Sequence, residues 1–385
     1  MAFTSQGFSR KFRSLCETFG NSIDEVAAAT GIGSQALRAI EAGNAPPTGD
    51  EVLIIADFFK CEFSWLVDDA APNPEENAST MLRSEGRGLA ASDRHAIAEF
   101  LYLCKSQAML EELLEVRPSH EEFKFVPRGT YFKRHGADCA AELRQKYNLP
   151  RNAIIPDIFG WLRDKGFRVF RRALPSSPIS GLFVRHPEAG NCILINFSED
   201  KYRQRFSAAH EIGHALLDIE KKYNVSVQIE PSGSNDLVEL RANSFASSFL
   251  MPPELLSMIG TKEQWRQPEK IREVASQLFV SVPALLSALK RDNILDEDTL
   301  NNLRQSGIRL PDKHEPEVRG GLNKKQRDRQ LVLLGMGLHS QYVNMGFEAH
   351  ARGLISQAKL ADILLTEPSE LTELSALFGV SLKHG

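Results

Sequence analysis

Residues 206–215 read FSAAHEIGHA and place His210, Glu211 and His214 in the spacing H-E-x-x-H. On an α-helix residues four apart share a face, so the two imidazoles project together and can hold one ion at about 2.0–2.1 Å from each nitrogen. Glu211 lies beside them, where a carboxylate can take the proton of a metal-activated water. Two histidines do not complete a hydrolytic zinc site, which uses three protein ligands and leaves a fourth position for water. The stretch therefore calls for a helix over about 201–218 and for a third ligand from elsewhere in the chain.

Downstream, DLVELRANSFASSFLMPPELL (236–256) has the period of a helix whose Leu240, Phe245, Phe249 and Leu250 face a core, and it stops at Pro252 and Pro253. Glu239 is the candidate third ligand. Asn243, four residues on and so on the same face, is placed to hydrogen-bond a ligand histidine. Among competing carboxylates, Asp218 and Glu220 follow too closely on the first helix, and Glu230 and Asp236 lie in a polar Gly/Ser loop. Upstream, IPDIFGWLRDKGF (155–167) reads as an amphipathic helix. RVFRRAL (168–174), ISGLFVRH (179–186) and NCILINF (191–197) read as strands, with Gly190 and Asn191 as the turn between the last two. Strands followed by a motif-bearing helix make an α+β domain. Cys192–Asn196 or Gly181–Arg185, if at the sheet edge, would pair with an extended peptide. Tyr202 and Tyr223 are available as oxyanion donors, although packing or surface roles suit them better.

INFSEDKYRQRFSAAHEIGHALLD (195–218) followed by ELRANSFASSFLMP (239–252) resembles the ImmA/IrrE family of metallopeptidases, and the likeness extends from about Ala137 to Leu289. The resemblance implies a zincin-like fold, Zn2+ as cofactor with His210, His214 and Glu239 as its ligands, and Glu211 as the catalytic general base in peptide hydrolysis. Where the family pattern has a second glutamate, this chain has Arg241, leaving Glu239 as the carboxylate of that motif. Two histidines and a carboxylate also suit manganese.

The N-terminal segment follows another plan. SIDEVAAATGIGSQALRAIEAG (22–43) opens with Ser22 and Glu25 in capping-box spacing and carries Val26, Ala27, Ile32, Leu37 and Ile40 at core-like intervals. Gly31 supplies the turn between two helices and Gly43 ends the second. Ser34, Gln35 and Arg38 fall on the outer face of the second helix, where a DNA reader carries its contacts. Residues 8–67 resemble the XRE-type helix-turn-helix domains. Residues 1–69 hold five Lys/Arg against ten Asp/Glu, a poor balance for neutralising phosphates.

The whole chain has a net charge of −4 and so no global attraction to nucleic acid. It has no run of about eighteen apolar residues, and MAFTSQGFSRKFRSLC lacks the apolar centre of a secretory signal, so the expected location is the cytoplasm, off the membrane. Five cysteines without C-x-x-C spacing point to buried or idle thiols.

These readings divide the chain into a helix-turn-helix domain (1–69), a linker with a connecting helix (70–134), a metallopeptidase domain (135–260), a second helix-turn-helix-like module (261–311), and a linker with a helical tail (312–385). The fold class is α+β, mostly α. A helix over 92–116, with Ile97, Phe100, Leu101, Leu103, Leu110, Leu113 and Leu114, is the candidate connecting or homo-oligomer contact. EVASQLFVSVPALLSAL (273–289) repeats EVAAATGIGSQALRAI (25–40), with Phe279 where the first has Gly31. RLPDKHEPEVRGGLNKKQRDRQ (309–330) reads as a charged, Gly/Pro-containing linker, and His339 and His350 as surface or helix-packing residues. The leading functional expectation is a zinc endopeptidase fused to a DNA-binding-type domain, with a helix-turn-helix repressor as protein substrate. A one-component transcription regulator with a sensing zinc domain, and a toxin–antitoxin or phage-defence component, are the alternatives.

Overall fold

A computed structural model of the chain describes residues 3–73, 89–116, 123–129, 131–175, 177–218, 223–227, 237–310 and 313–382. It divides into two compact units, Met1–Leu103 with Ser176–Pro178, and Cys104–Pro175 with Ile179–Gly385.

The first unit is helical: α1 (Ser5–Phe19), α2 (Ile23–Thr30), α3 (Ser34–Glu41), α4 (Gly49–Phe58) and α5 (Phe63–Val67). Its core is built from Phe8, Phe12, Val26, Leu37, Ile40, Ile55 and Phe59. The capping box at α2 is formed, with the Ser22 amide donating to Glu25 at 2.7 Å and the Glu25 amide donating to the Ser22 hydroxyl at 3.3 Å. Thr48 and Glu51 form a second box at α4. Gly31 ends α2 at φ 75°, a left-handed conformation in which a Cβ is unfavourable. Among the expected apolar residues of helix α6 (Ala91–Leu113), Ile97, Phe100, Leu101, Leu103 and Leu110 are buried whereas Leu113 is exposed.

The second unit contains α7 (Phe132–Lys146), α8 (Ile158–Asp164), β1 (Arg168–Arg172), β2 (Ile179–His186), β3 (Gly190–Asn196), α9 (Lys201–Leu217), β4 (Tyr223–Val227) and α10 (Leu237–Leu250). The strands form one sheet in the order β1-β3-β2-β4, with β1 parallel to β3 and the other pairs antiparallel. Two expectations are corrected here. Neither Cys192–Asn196 nor Gly181–Arg185 is an edge, because β3 is flanked by β1 and β2, and β2 by β3 and β4. Strand β4 went unanticipated, although YNVSV alternates Tyr223, Val225 and Val227 with Asn224 and Ser226. The β2–β3 turn lies over 187–189, with Gly190 opening β3 at φ 66° and Asn191 paired within the strand. Helix α9 packs across β2 and β3, and α10 against both α9 and α7. Gly136 of α7 makes that approach possible: a Cβ there would lie 2.2 Å from the Arg241 carbonyl oxygen.

Helices α11 (Pro253–Ile259) and α12 (Lys262–Trp265) lead to a second helix-turn-helix pair, α13 (Pro268–Gln277) and α14 (Val282–Arg291). Phe279 takes the place of Gly31 in conformation as well as in sequence, with φ 54°. The buried Arg205 of α9 holds it there, donating to the Phe279 carbonyl at 3.0 Å and to those of Pro156 and Ile155 at 2.5 and 2.6 Å. Helix α15 (Glu297–Gln305) closes this region, and α16 (Lys324–Gly335), α17 (Ser340–Ala351), α18 (Gln357–Ile363) and α19 (Leu371–Phe378) form the tail.

The stretch expected as a charged linker is partly core. Glu315 and Glu317 are buried against β1 and α8: Arg171 reaches Glu315 and Glu317 at 2.7 Å each, and Arg163 donates to Glu317. Burial opposes ionisation of Glu317, but Arg163 and Arg171 outweigh it and hold its pKa at about 2. His339 and His350 are likewise buried at 1% exposure each, so the surface option for them does not hold.

Candidate metal centre

Helix α9 places His210 and His214 one turn apart, and α10 brings in Glu239 from the other side. The candidate ligand atoms of these three residues lie within 4.8 Å of one another. His210 Nε2 is 2.9 Å from His214 Nε2, His210 Nε2 is 3.1 Å from a Glu239 oxygen, and His214 Nε2 is 3.2 Å from the other. Ligands 2.0–2.1 Å from a tetrahedral ion stand about 3.3 Å apart, so this triangle has the dimensions of a zinc site. Glu239 keeps a third of its side chain exposed, whereas the His214 side chain is fully buried. The cluster therefore has one open side.

The other ring nitrogens are also engaged. His210 Nδ1 is 3.0 Å from Asn243 Oδ1, and His214 Nδ1 is 2.7 Å from an Asp218 oxygen. An acceptor at Nδ1 selects the tautomer with hydrogen there and turns the Nε2 lone pair toward the centre. Burial opposes protonation of His214, yet its hydrogen bonds to Asp218 and Glu239 and the charge of Glu211 raise its pKa to about 9. For Glu239, burial is outweighed by hydrogen bonds to both histidines, which hold the carboxyl well below the usual range. A cluster that concentrates negative charge around two imidazoles suits a divalent cation.

Glu211 is completely buried behind the histidines. Gly181 of β2 provides its space: a Cβ at 181 would lie 2.5 Å from Glu211 Oε1. Sequence reasoning missed this, since Gly181 is one apolar-run residue among others until the sheet is laid against α9. It also set Asp218 aside as a ligand without seeing its place behind His214. The signal was available, because position 218 is one turn beyond His214 on the same face. Glu220, Glu230 and Asp236 lie outside the described residues, as does the Tyr223 side chain. Tyr202 is buried with its ring edge-on to Phe279 at 6.3 Å, a packing role.

Residues 162–290 match the model of the IrrE N-terminal-like domain, a peptidase family. This stretch is thus similar to the IrrE N-terminal-like domain. A second match, to the helix-turn-helix model, covers residues 12–66. The radiation response metalloprotease IrrE of Deinococcus radiodurans is 33% identical over 105 residues, which cover 26% of this chain and 30% of that protein. The chain thus matches about 30% of the length of this curated relative. The IrrE-like match begins in α8, contains the whole candidate metal centre, and runs through the second helix-turn-helix pair.

In the first unit, Ser34, Gln35 and Arg38 are exposed on α3 as expected of a reading face. Arg38 forms an ion pair with Asp24 of α2, its Nη2 lying 2.8 Å from each carboxylate oxygen. The one cation of the expected face is thereby matched with a carboxylate. Among the described residues no helix is long and apolar enough to cross a membrane.

Proposed function

We propose that the chain is a zinc-dependent endopeptidase joined to a helix-turn-helix domain, with a transcriptional repressor of helix-turn-helix type as its protein substrate. The observation that carries the proposal is the convergence of His210, His214 and Glu239 beside a buried Glu211, within a stretch that matches the IrrE N-terminal-like domain. His210, His214 and Glu239 would hold the ion through Nε2, Nε2 and a carboxylate oxygen. Bound zinc supplies Lewis acidity toward water and the peptide carbonyl. Glu211 takes the proton of the attacking water and delivers it to the leaving amine. Its burial against Gly181 limits the carboxylate to few orientations and so places that proton transfer. Asn243 and Asp218 keep the two imidazoles oriented.

The test is incubation of zinc-loaded full chain with helix-turn-helix repressors encoded nearby, scored by fragment mass. The Glu211→Gln protein serves as control. Zinc retained and cleavage lost in the variant is the expected result; cleavage unchanged by the substitution overturns the mechanism. A regulator reading, with the zinc domain as sensor, draws on the exposed Ser34, Gln35 and Arg38. It is disfavoured by the acidic balance of residues 1–69 and by the Arg38–Asp24 pair.

A further inference from the structure

Helix α10 does more than bring Glu239 to the two histidines. Asn243, one turn after Glu239, faces His210 Nδ1. Arg241, between them in sequence, reaches back to the end of α9, where its Nη2 donates to the Asp218 carboxylate and, at 3.2 Å, to the Leu217 carbonyl. The other oxygen of that carboxylate accepts from His214 Nδ1 at 2.7 Å. Asp218 and Arg241 have side chains only 7% and 11% exposed, and the Arg241 guanidinium also lies 5.4 Å from the centre of the Phe132 ring. The two histidines are therefore supported differently: His210 by a neutral amide, His214 by a carboxylate that is itself neutralised.

Position 241 is where the resembled family pattern has glutamate. A glutamate there would set a second carboxylate against Asp218 in a buried setting, where like charges repel strongly. We propose that Arg241 and Asp218 are a pair of positioning residues for His214. Asp218 fixes the His214 ring with hydrogen on Nδ1, and Arg241 fixes Asp218, so that Nε2 is held toward the cluster. The proposal rests on the zinc-site reading above. Partners of ligand histidines typically contribute 10–100-fold in metal affinity, and a charge-assisted partner belongs at the upper end of that range.

The experiment measures zinc affinity of the full chain by competition with a chromophoric chelator, together with the Nδ1–H proton of His214 in the zinc-loaded, 15N-histidine-labelled protein. Arg241→Glu is expected to weaken zinc about 10–100-fold and to lose the downfield, slowly exchanging Nδ1–H signal. Arg241→Lys should lie between it and the parent. In the Arg241→Glu background, Asp218→Asn should recover about tenfold or more, because an asparagine amide donates to the introduced carboxylate while its oxygen still accepts from His214. A purely structural role for Arg241 would show no such rescue. Asp218→Asn alone covers the case in which Arg241→Glu does not fold: zinc about tenfold weaker and a displaced signal are expected. Parent protein that takes up no zinc overturns the zinc reading and this proposal with it. Zinc uptake and the His214 signal unchanged in both variants overturn the positioning pair alone.

Discussion

Helix α3 of the first unit and the helix pair α9/α10 of the second each present a few polar side chains from one face, and burial separates them. Ser34, Gln35 and Arg38 stand in solvent, and the Arg38 charge is answered by an equally exposed Asp24. His210, His214 and Glu211 are enclosed, and both imidazoles have a named neighbour at Nδ1. Exposed polar residues can change with little consequence for folding, so whatever the α3 face does depends on its partner. In the second unit, chemistry and folding share the same side chains, because a buried charge left without its partner is costly.

The largest test of that contrast lies in the buried charges behind β1. Glu317→Gln leaves Arg163 and Arg171 short of a counter-charge and is expected to lower unfolding free energy by about 3–5 kcal/mol in denaturant titrations. Since the folded-state pKa of Glu317 is about 2 against an ordinary 4.5, its contribution is fully present above the ordinary value and is lost as pH falls toward 2. The gap between parent and variant should accordingly close across that window. A gap that stays constant down to pH 2 breaks the ion-pair explanation.

Next comes Gly181→Ala, which puts a methyl group where the Glu211 carboxylate sits. Displacing a catalytic group by about an ångström costs on the order of 10²-fold in rate. Cleavage should fall by that factor while zinc content is unchanged; full activity would mean that Glu211 has room the packing does not show.

Gly31→Ala is a smaller effect. Nothing lies within 4 Å of the added Cβ, so the cost is that of the left-handed conformation at φ 75°, about 1–2 kcal/mol in thermal or chemical unfolding. Smallest is Arg38→Ala. Removing an exposed ion pair should change stability by under about 0.5 kcal/mol. Binding of the full chain to its own promoter in a gel shift should weaken if α3 reads DNA, whereas an unchanged shift would remove Arg38 from that role.

Much of this organisation is written in short-range pattern. The Ser22–Glu25 box, the strand ISGLFVRH and the histidine pair all follow from neighbours within a turn or a few residues, where backbone geometry dictates what meets what. Glu315 and Glu317 show the opposite case. Their arginines lie 144 and 154 residues away, and a charged Gly/Pro-containing stretch looks solvated until β1 and α8 are assembled beside it. Strand β4 was passed over although YNVSV alternates, because five residues between polar stretches do not say which strand they pair with, and only the sheet shows them on the outer side of β2.

By itself the sequence determined the helix that pairs His210 with His214, the helix that carries Glu239 and Asn243, and the two helix-turn-helix turns, including the correspondence of Phe279 with Gly31. These are matters of local period and capping, settled by a few kilocalories of nearby interaction. Tertiary structure decided that Glu239 meets the histidines, that Gly181 clears the space of Glu211, and that Asp218 and Arg241 stand behind His214. Such contacts form only when α9, α10 and the sheet pack together, because burial gives distant charges and hydrogen bonds the strength to select one arrangement.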